Sequence, residues 1–380
     1  MKLLVNASLL RFGGAVQVAL SFIHECRSYS ENEYHVVLGP GVGAVLDRSK
    51  FPPNFKFYDR NFGVMKLRKI FQVQKEMSAL ESEIRPECVV TTSGPSYWRS
   101  KSPHLTGFNL PLYIYPESPY LKDMPLSSKL RLNARKWLHC RLLRRDADAL
   151  IAQTEDVRVR AKALLGIDKS YTVTNNHGAW YEEPSESPAR LPPSDADVFR
   201  FLTLTAFYPH KNLDLIPKVI EALPHSDRNR VEFVLTLTKN QYQKHISRNI
   251  PDQVRLVGSV PPPECPSLYK ECDAMFLPTL AECFSASYPE AMRMGIPIIT
   301  TNLGFAQSIC ENAALYFEPC DAQSAAVQIM RLVNDKNLRA ALCDSGERRL
   351  MSFDTPAQRA RKILDICRDL AAQSTDQVAA

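Results

Sequence analysis

The chain has 380 residues, 45% of them apolar and 23% charged, with a formal net charge of +6. That length accommodates two domains of ordinary size, each with enough apolar residues for a packed core. The mild positive balance favours anionic ligands without demanding nucleic acid; no RNP-like, zinc-finger or helix-turn-helix signature is present, and no apolar run approaches the roughly 18 residues of a membrane-spanning helix.

The first residues, Met1-Lys2-Leu3-Leu4-Val5-Asn6, turn polar too soon for a secretory signal and read as a strand. Lys2 to Ala7 is that strand. It runs into Leu9-Leu10-Arg11-Phe12-Gly13-Gly14 and then a helical pattern from Ala15 to Cys26. A glycine turn between strand and helix suits a phosphate, because backbone can approach the ligand; a plain tight turn accounts for the two glycines equally well. Further strands are expected at Tyr34 to Leu38, Phe55 to Tyr58, Cys88 to Thr92, Leu112 to Tyr115, Ala149 to Gln153 and Tyr171 to Thr174. Val64 to Ile84 has helical spacing. Strands alternating with helices, and closed by polar turns, predict a parallel sheet covered on both faces.

Residues 185–197 (SESPARLPPSDAD) are rich in Pro, Ser, Glu and Asp and read as a linker between a first domain, 1–184, and a second, 198–354. The alternation restarts there. Strands are expected at Phe199 to Thr205, Val231 to Thr238, Val254 to Val257, Ala274 to Leu277 and Pro297 to Thr300, and helices at Leu213 to Leu223 and from about Ser287. Thr355-Pro356 forms an N-cap and first turn for a final helix, 355–372, expected to return toward the first domain. The fold class is therefore α/β, with two doubly wound Rossmann-like domains facing a cleft in which a ligand binds.

The chemistry concentrates in Leu277 to Asn302. Glu282 and Glu290 stand eight positions apart around the small turn Ser285-Ala286-Ser287. A carboxylate at Glu290, early in the helix, can accept two hydrogen bonds from a ribose cis-diol; the helix dipole alone also favours an acid there. Glu282 lies in the loop beside backbone N–H groups. Lys211, in Tyr208-Pro209-His210-Lys211-Asn212, opens a helix after the first strand of the second domain, where it can neutralise a phosphate. Ten scattered cysteines form no Cys-x-x-Cys pair and no zinc spacing, the pattern of free thiols in a reducing cytosol.

Taken together, Glu282 and Glu290 followed by Ala291-Met292, Gly295 and Pro297, with Pro209 to Asp214, Val254 to Gly258 and Ala147 to Thr154, resemble the GT-B glycosyltransferases of family 4. The resemblance is closest from Phe199 to Pro319. It implies a retaining hexosyltransferase that uses a UDP- or GDP-linked sugar, needs no metal, and works on a glycan or lipid-linked glycan in surface polysaccharide synthesis. By this resemblance Glu290 would hold the ribose and Lys211 the diphosphate. Glu282 and the backbone of Phe284, Ser285, Ala286 and Ser287 would meet the sugar and β-phosphate, with Gly13 and Gly14 across the cleft.

Two positions depart from the family pattern. Ala206 stands where an arginine is usual before the lysine, leaving Arg11, Arg99 or Lys239 as alternative cations. No histidine follows Tyr115-Pro116-Glu117, which leaves His104, Tyr115 or Glu117 as alternatives. These departures motivate a second reading, a catalytically silent GT-B protein that binds nucleotide or glycan as a partner. An oxidoreductase is disfavoured, because no Gly-x-Gly-x-x-Gly follows the first strand. Ser128 to Arg145 carries seven Lys or Arg and no acid. It is either a solvated helix or a peripheral contact with the inner face of a membrane, supported by Met65 to Lys69.

Overall fold

The computed structural model describes residues 1–379 except 12, 175–177, 183, 185–186 and 194–196, and leaves aside the side chains of 179 and 375–379. Two compact units emerge. The first comprises Met1–Ile114, Pro125–Asn175 and Asp354–Ala380, and the second comprises Tyr115–Met124 and Asn176–Phe353.

The first unit holds a seven-stranded sheet of β1 (Lys2–Ala7), β2 (Glu33–Leu38), β3 (Phe55–Asp59), β4 (Cys88–Thr91), β5 (His104–Gly107), β6 (Ala149–Ala152) and β7 (Ser170–Thr172). Their order is β3-β2-β1-β4-β5-β6-β7, with every pairing parallel. Alternate residues of β1 feed two cores. Leu3, Val5 and Ala7 face one with the helix Gly14–Glu25, while Leu4 faces the other with Val73, Met77 and Leu142. Both faces are covered, as a parallel sheet requires.

The fifth strand is a correction. The run Leu112 to Tyr115 forms no strand; Pro111–Ile114 is one helical turn. A short apolar run has no period that separates strand from helix, and Pro111 supplies a helical φ at its start. The strand lies earlier, at His104–Gly107, paired with both β4 and β6.

The second unit holds β8 (Phe199–Thr203), β9 (Val231–Leu235), β10 (Val254–Leu256), β11 (Ala274–Leu277), β12 (Ile298–Thr301) and β13 (Ala314–Phe317), in the order β10-β9-β8-β11-β12-β13. The sequence reading names no strand at β13. Succession reverses between β8 and β11, so the loops leaving their carboxyl ends diverge and open a crevice there.

The chain divides at Asn175/Asn176, earlier than the expected 184. Of the expected linker 185–197, residues 185–186 and 194–196 lie outside the described residues. Its middle is anchored to the second unit: the N–H groups of Arg190 and Leu191 donate to the Glu271 carboxylate at 3.0 and 2.7 Å.

The final helix, Pro356–Ala379, opens with a reciprocal cap. Gln358 N–H donates to Thr355 Oγ1 at 3.2 Å, and Thr355 N–H to Gln358 Oε1 at 2.9 Å, satisfying donors left over at the helix start. Ala360, Ile363, Leu364 and Cys367 complete the core of the first unit. All ten cysteines are free thiols.

Candidate functional site

The loops after β8 and β11 carry the expected residues to the switch point of the second sheet. After β8, Pro209–Lys211 makes one 3-10 turn that ends at Asn212 in the left-handed region, φ 54°. Asparagine tolerates that conformation better than most residues, and the turn aims Lys211 inward, with 9% of the residue exposed.

The two loops are joined directly. Leu280 N–H donates to the His210 carbonyl at 2.8 Å. Lys211 Nζ pairs with Glu282 Oε1, and Thr279 Oγ1 donates to the same oxygen at 3.0 Å. Thr301 Oγ1 in turn donates to the Thr279 carbonyl at 2.7 Å. Lys211 and Glu282, expected to meet phosphate and sugar separately, are thus partners of one another. Burial explains it, since either charge alone in this setting is costly.

Glu290 sits in the first turn of the helix Ser287–Arg293 with 9% of its surface exposed. Tyr269, on the helix Cys265–Lys270, donates its phenol to Glu290 Oε2 at 3.2 Å. The Tyr181 ring meets that of Tyr269 edge to face, with centroids 5.9 Å apart. Burial pushes the carboxyl from 4.5 up to about 7, against the lowering effect of the two phenols. Ahead of it, Ser287 Oγ donates to the Leu204 carbonyl at 3.2 Å, tying the small turn to the end of β8. Ser285 and Ser287 are buried, and the Phe284 ring packs edge-on against Phe353.

The remaining candidates separate. Gly13 precedes the helix Gly14–Glu25 in the first unit with φ 79°, a conformation glycine adopts freely. Open space surrounds a Cβ built on Gly14. The loop ahead of them rests on a support that motif reading missed. A Cβ on Gly39 would lie 2.6 Å from the Ser8 carbonyl oxygen, and one on Gly41 would clash with that of Arg11. The Gly39-Pro40-Gly41 run that follows β2 is the sequence signal for this close approach.

His104 is not a site residue. It is fully buried in β5, its Nε2 is 2.7 Å from Thr91 Oγ1, and burial lowers its pKa to about 3. Arg99 reaches the Arg145 carbonyl and Asp148 within the first unit. Tyr115 is buried against the Phe305 ring, and Glu117 is exposed. The segment Tyr115–Met124 contributes more than those two. Ser118 Oγ donates to the Leu280 carbonyl at 2.7 Å, and the Tyr120 ring lies edge-on to His210. Nothing in the local pattern of the sequence marks these two.

Among the described residues, no group of three or more His, Cys, Asp or Glu side chains has metal-holding geometry. No helix among them is long and apolar enough to cross a membrane.

Residues 191–349, which include Lys211, Tyr269, Glu282 and Glu290, match the family model for glycosyl transferases group 1. That match lies within the second unit. A stretch of 137 residues is 23% identical to O-antigen chain mannosyltransferase B of Escherichia coli, covering 34% of this chain and 36% of that protein. The chain thus spans about a third of the length of that curated relative. The whole fold is similar to Anabaena HepE crystallised with UDP and glucose, with TM-score 0.69, 14% identity, and coverage of 96% of this chain and 99% of that one. It is also similar to WaaG, a glycosyltransferase involved in lipopolysaccharide biosynthesis, with TM-score 0.70, 13% identity and coverage of 97% and 99%. The likeness is one of fold, the two-domain α/β architecture known as GT-B.

Proposed function

We propose that this chain is a retaining glycosyltransferase that moves a hexose from a UDP- or GDP-linked sugar to a glycan or lipid-linked glycan acceptor, in the synthesis of a surface polysaccharide. The observation that carries the reading is the switch point of the group 1 domain. One loop there supplies a buried lysine, the next its carboxylate partner, and the following helix a second carboxylate held by a phenol. The names of the similar proteins, a mannosyltransferase and a glycosyltransferase of lipopolysaccharide, support the substrate class.

In this reading Glu290 accepts the two ribose hydroxyls. The incoming diphosphate takes the ammonium of Lys211 from Glu282, and the freed carboxylate turns to the hydroxyls of the sugar. Backbone N–H groups of Phe284 to Ser287 meet the β-phosphate. Fixed positive charge and N–H donors stabilise the diphosphate as it leaves, without a metal. This pairing of needs favours an enzyme over a silent partner protein, since the buried lysine and both acids are retained.

The proposed workplace is the cytoplasmic face of a membrane. On the helix Leu126–Asp146, Leu126, Leu130 and Trp137 are 73%, 62% and 67% exposed. At about 100° per residue they fall within about 40° of one another on one face, amid seven Lys and Arg. Leu67 and Phe71 are 69% and 80% exposed at the start of the helix Leu67–Ile84, beside Lys66, Arg68 and Lys69. Apolar anchors among cations suit an anionic bilayer surface.

The test is a thermal-shift screen against UDP, GDP and their sugars. A ligand at about 100 times its dissociation constant stabilises by roughly 2.7 kcal/mol, and one nucleotide family is expected to do so. The absence of any shift, together with no transfer from a panel of nucleotide sugars, would overturn the assignment.

A further inference from the structure

The grip on Glu290 is built from two places in the chain that the proposed chemistry does not use. Tyr269 comes from the helix that leads into β11, and Tyr181 from the 3-10 turn Ala179–Tyr181. Both phenols are almost wholly buried, Tyr269 at 0% and Tyr181 at 1% exposure. Tyr269 lies 3.2 Å from Glu290 Oε2 and 3.4 Å from the Ser287 carbonyl, so its proton has two acceptors on one turn of helix. The buried Tyr181 phenol favours the ionised form of the same carboxyl, and its ring packs edge to face on that of Tyr269 with centroids 5.9 Å apart. Its own turn is clamped in place, because Arg293 donates to the Tyr181 carbonyl at 3.3 Å and to the Glu182 carboxylate at 2.8 Å. Arg293 belongs to the helix that carries Glu290. The result is a closed circuit of contacts around one carboxyl group that keeps 9% of its residue surface open.

A carboxylate needed only as a negative charge requires no such circuit. A carboxylate that must present its remaining lone pairs to two adjacent hydroxyls does, because a bidentate contact tolerates little rotation about the last side-chain bond. A glutamate also has three rotatable bonds to immobilise, and fixing them beforehand removes that entropy from the binding step.

We propose that Tyr181 and Tyr269 are positioning residues that fix the Glu290 carboxylate for a ribose diol, and that they set the preference of the site for ribonucleoside over 2′-deoxyribonucleoside diphosphates. The inference rests on the nucleotide-sugar reading above. It assigns to Tyr181 a role reaching across the chain from the turn before the second sheet.

The experiment measures dissociation constants by calorimetry for UDP, GDP and their 2′-deoxy counterparts. The proteins are the full-length wild type, Tyr269→Phe, Tyr181→Phe and the double variant. Tyr242→Phe, which removes a buried phenol on the helix Lys239–His245, is the control for general loosening. Wild type is expected to prefer the ribonucleotide by about 10-fold or more, the worth of one hydrogen bond to a charged group. Each single Phe variant is expected to lose several-fold of that ratio and the double variant nearly all of it, while Tyr242→Phe keeps it. A merely structural role would weaken both nucleotides equally and leave the ratio intact. If Tyr269→Phe does not fold, Tyr181→Phe carries the test from the other element. Wild-type-like ratios in the folded variants overturn this inference alone; a wild type that binds neither nucleotide, or does not distinguish ribose from deoxyribose, overturns the Glu290 reading with it.

Discussion

Replacing Glu290 by Gln should stabilise the second unit at alkaline pH while weakening the function proposed for it. Burial holds the carboxyl near 7 in the folded protein against 4.5 in the open chain. At 1.36 kcal/mol per pH unit that displacement is worth roughly 3 kcal/mol. The sign follows from proton counting. Below about 4.5 the carboxyl is protonated in both states. Between 4.5 and 7 the unfolded chain releases the proton and the folded chain keeps it, so stability falls as pH rises. Above 7 the whole cost of holding an ionised carboxylate in the buried setting is present. Glu290→Gln keeps the shape and an acceptor for Tyr269 but cannot ionise. Its advantage over wild type should therefore be small at pH 4.5 and grow to roughly 3 kcal/mol by pH 8. For a domain of this size that is roughly 6–12 °C in the melting temperature. The assay is thermal unfolding of both proteins from pH 4.5 to 8, taken as a difference so that other titrations cancel. Parallel curves over that range, or a wild type that gains on the variant with pH, would refute the argument. Nucleotide binding should show the converse, because ribose hydroxyls stabilise the ionised form: wild type should release protons on binding near pH 6, and Glu290→Gln should bind UDP or GDP about 10- to 100-fold more weakly.

Three other perturbations separate roles within the molecule. Lys211→Met leaves the Glu282 carboxylate buried without its partner and should cost about 3–5 kcal/mol; Lys211→Met with Glu282→Gln should recover part of that loss in urea unfolding, and equal stability of single and double variants would mean that the pair carries no energetic weight. His104→Ala should lower stability by about 2–4 kcal/mol through a core cavity and a lost hydrogen bond, with no change in nucleotide affinity by calorimetry. Trp137→Ala with Leu130→Ser should release the protein from vesicles containing anionic phosphatidylglycerol in a sedimentation assay while leaving nucleotide binding intact; unchanged sedimentation would return that helix to the status of a solvated surface.

Local chemistry made much of this architecture readable. The alternation of strand and helix located most of the strands, because a parallel sheet covered on both faces needs unbroken apolar runs closed by polar turns. The cap at Thr355 and Gln358 is a contact between residues three apart, so it too lies within reach of a sequence pattern. The fifth strand escaped because His104-Leu105-Thr106-Gly107 has no apolar signature; its polar side chains are buried by neighbours far along the chain. The nearby Leu112 to Tyr115 run was apolar and short, and only packing chose helix over strand.

The site divides along the same line. The sequence by itself singled out the residues to which the proposed function assigns the chemistry: a lysine after β8, acids eight apart after β11 and a turn of small residues between them, all on adjacent short segments. It could not decide what those groups touch. That Lys211 neutralises Glu282, that Tyr269, backed by Tyr181 from a separate element, holds Glu290, and that Ser118 and Tyr120 join the loops of the second unit are matters of three-dimensional neighbourhood. The physical reason is burial. In water each charge would be satisfied alone, but once the switch-point loops close over them, every charge and lone pair must find a partner, and the fold determines which one is within reach.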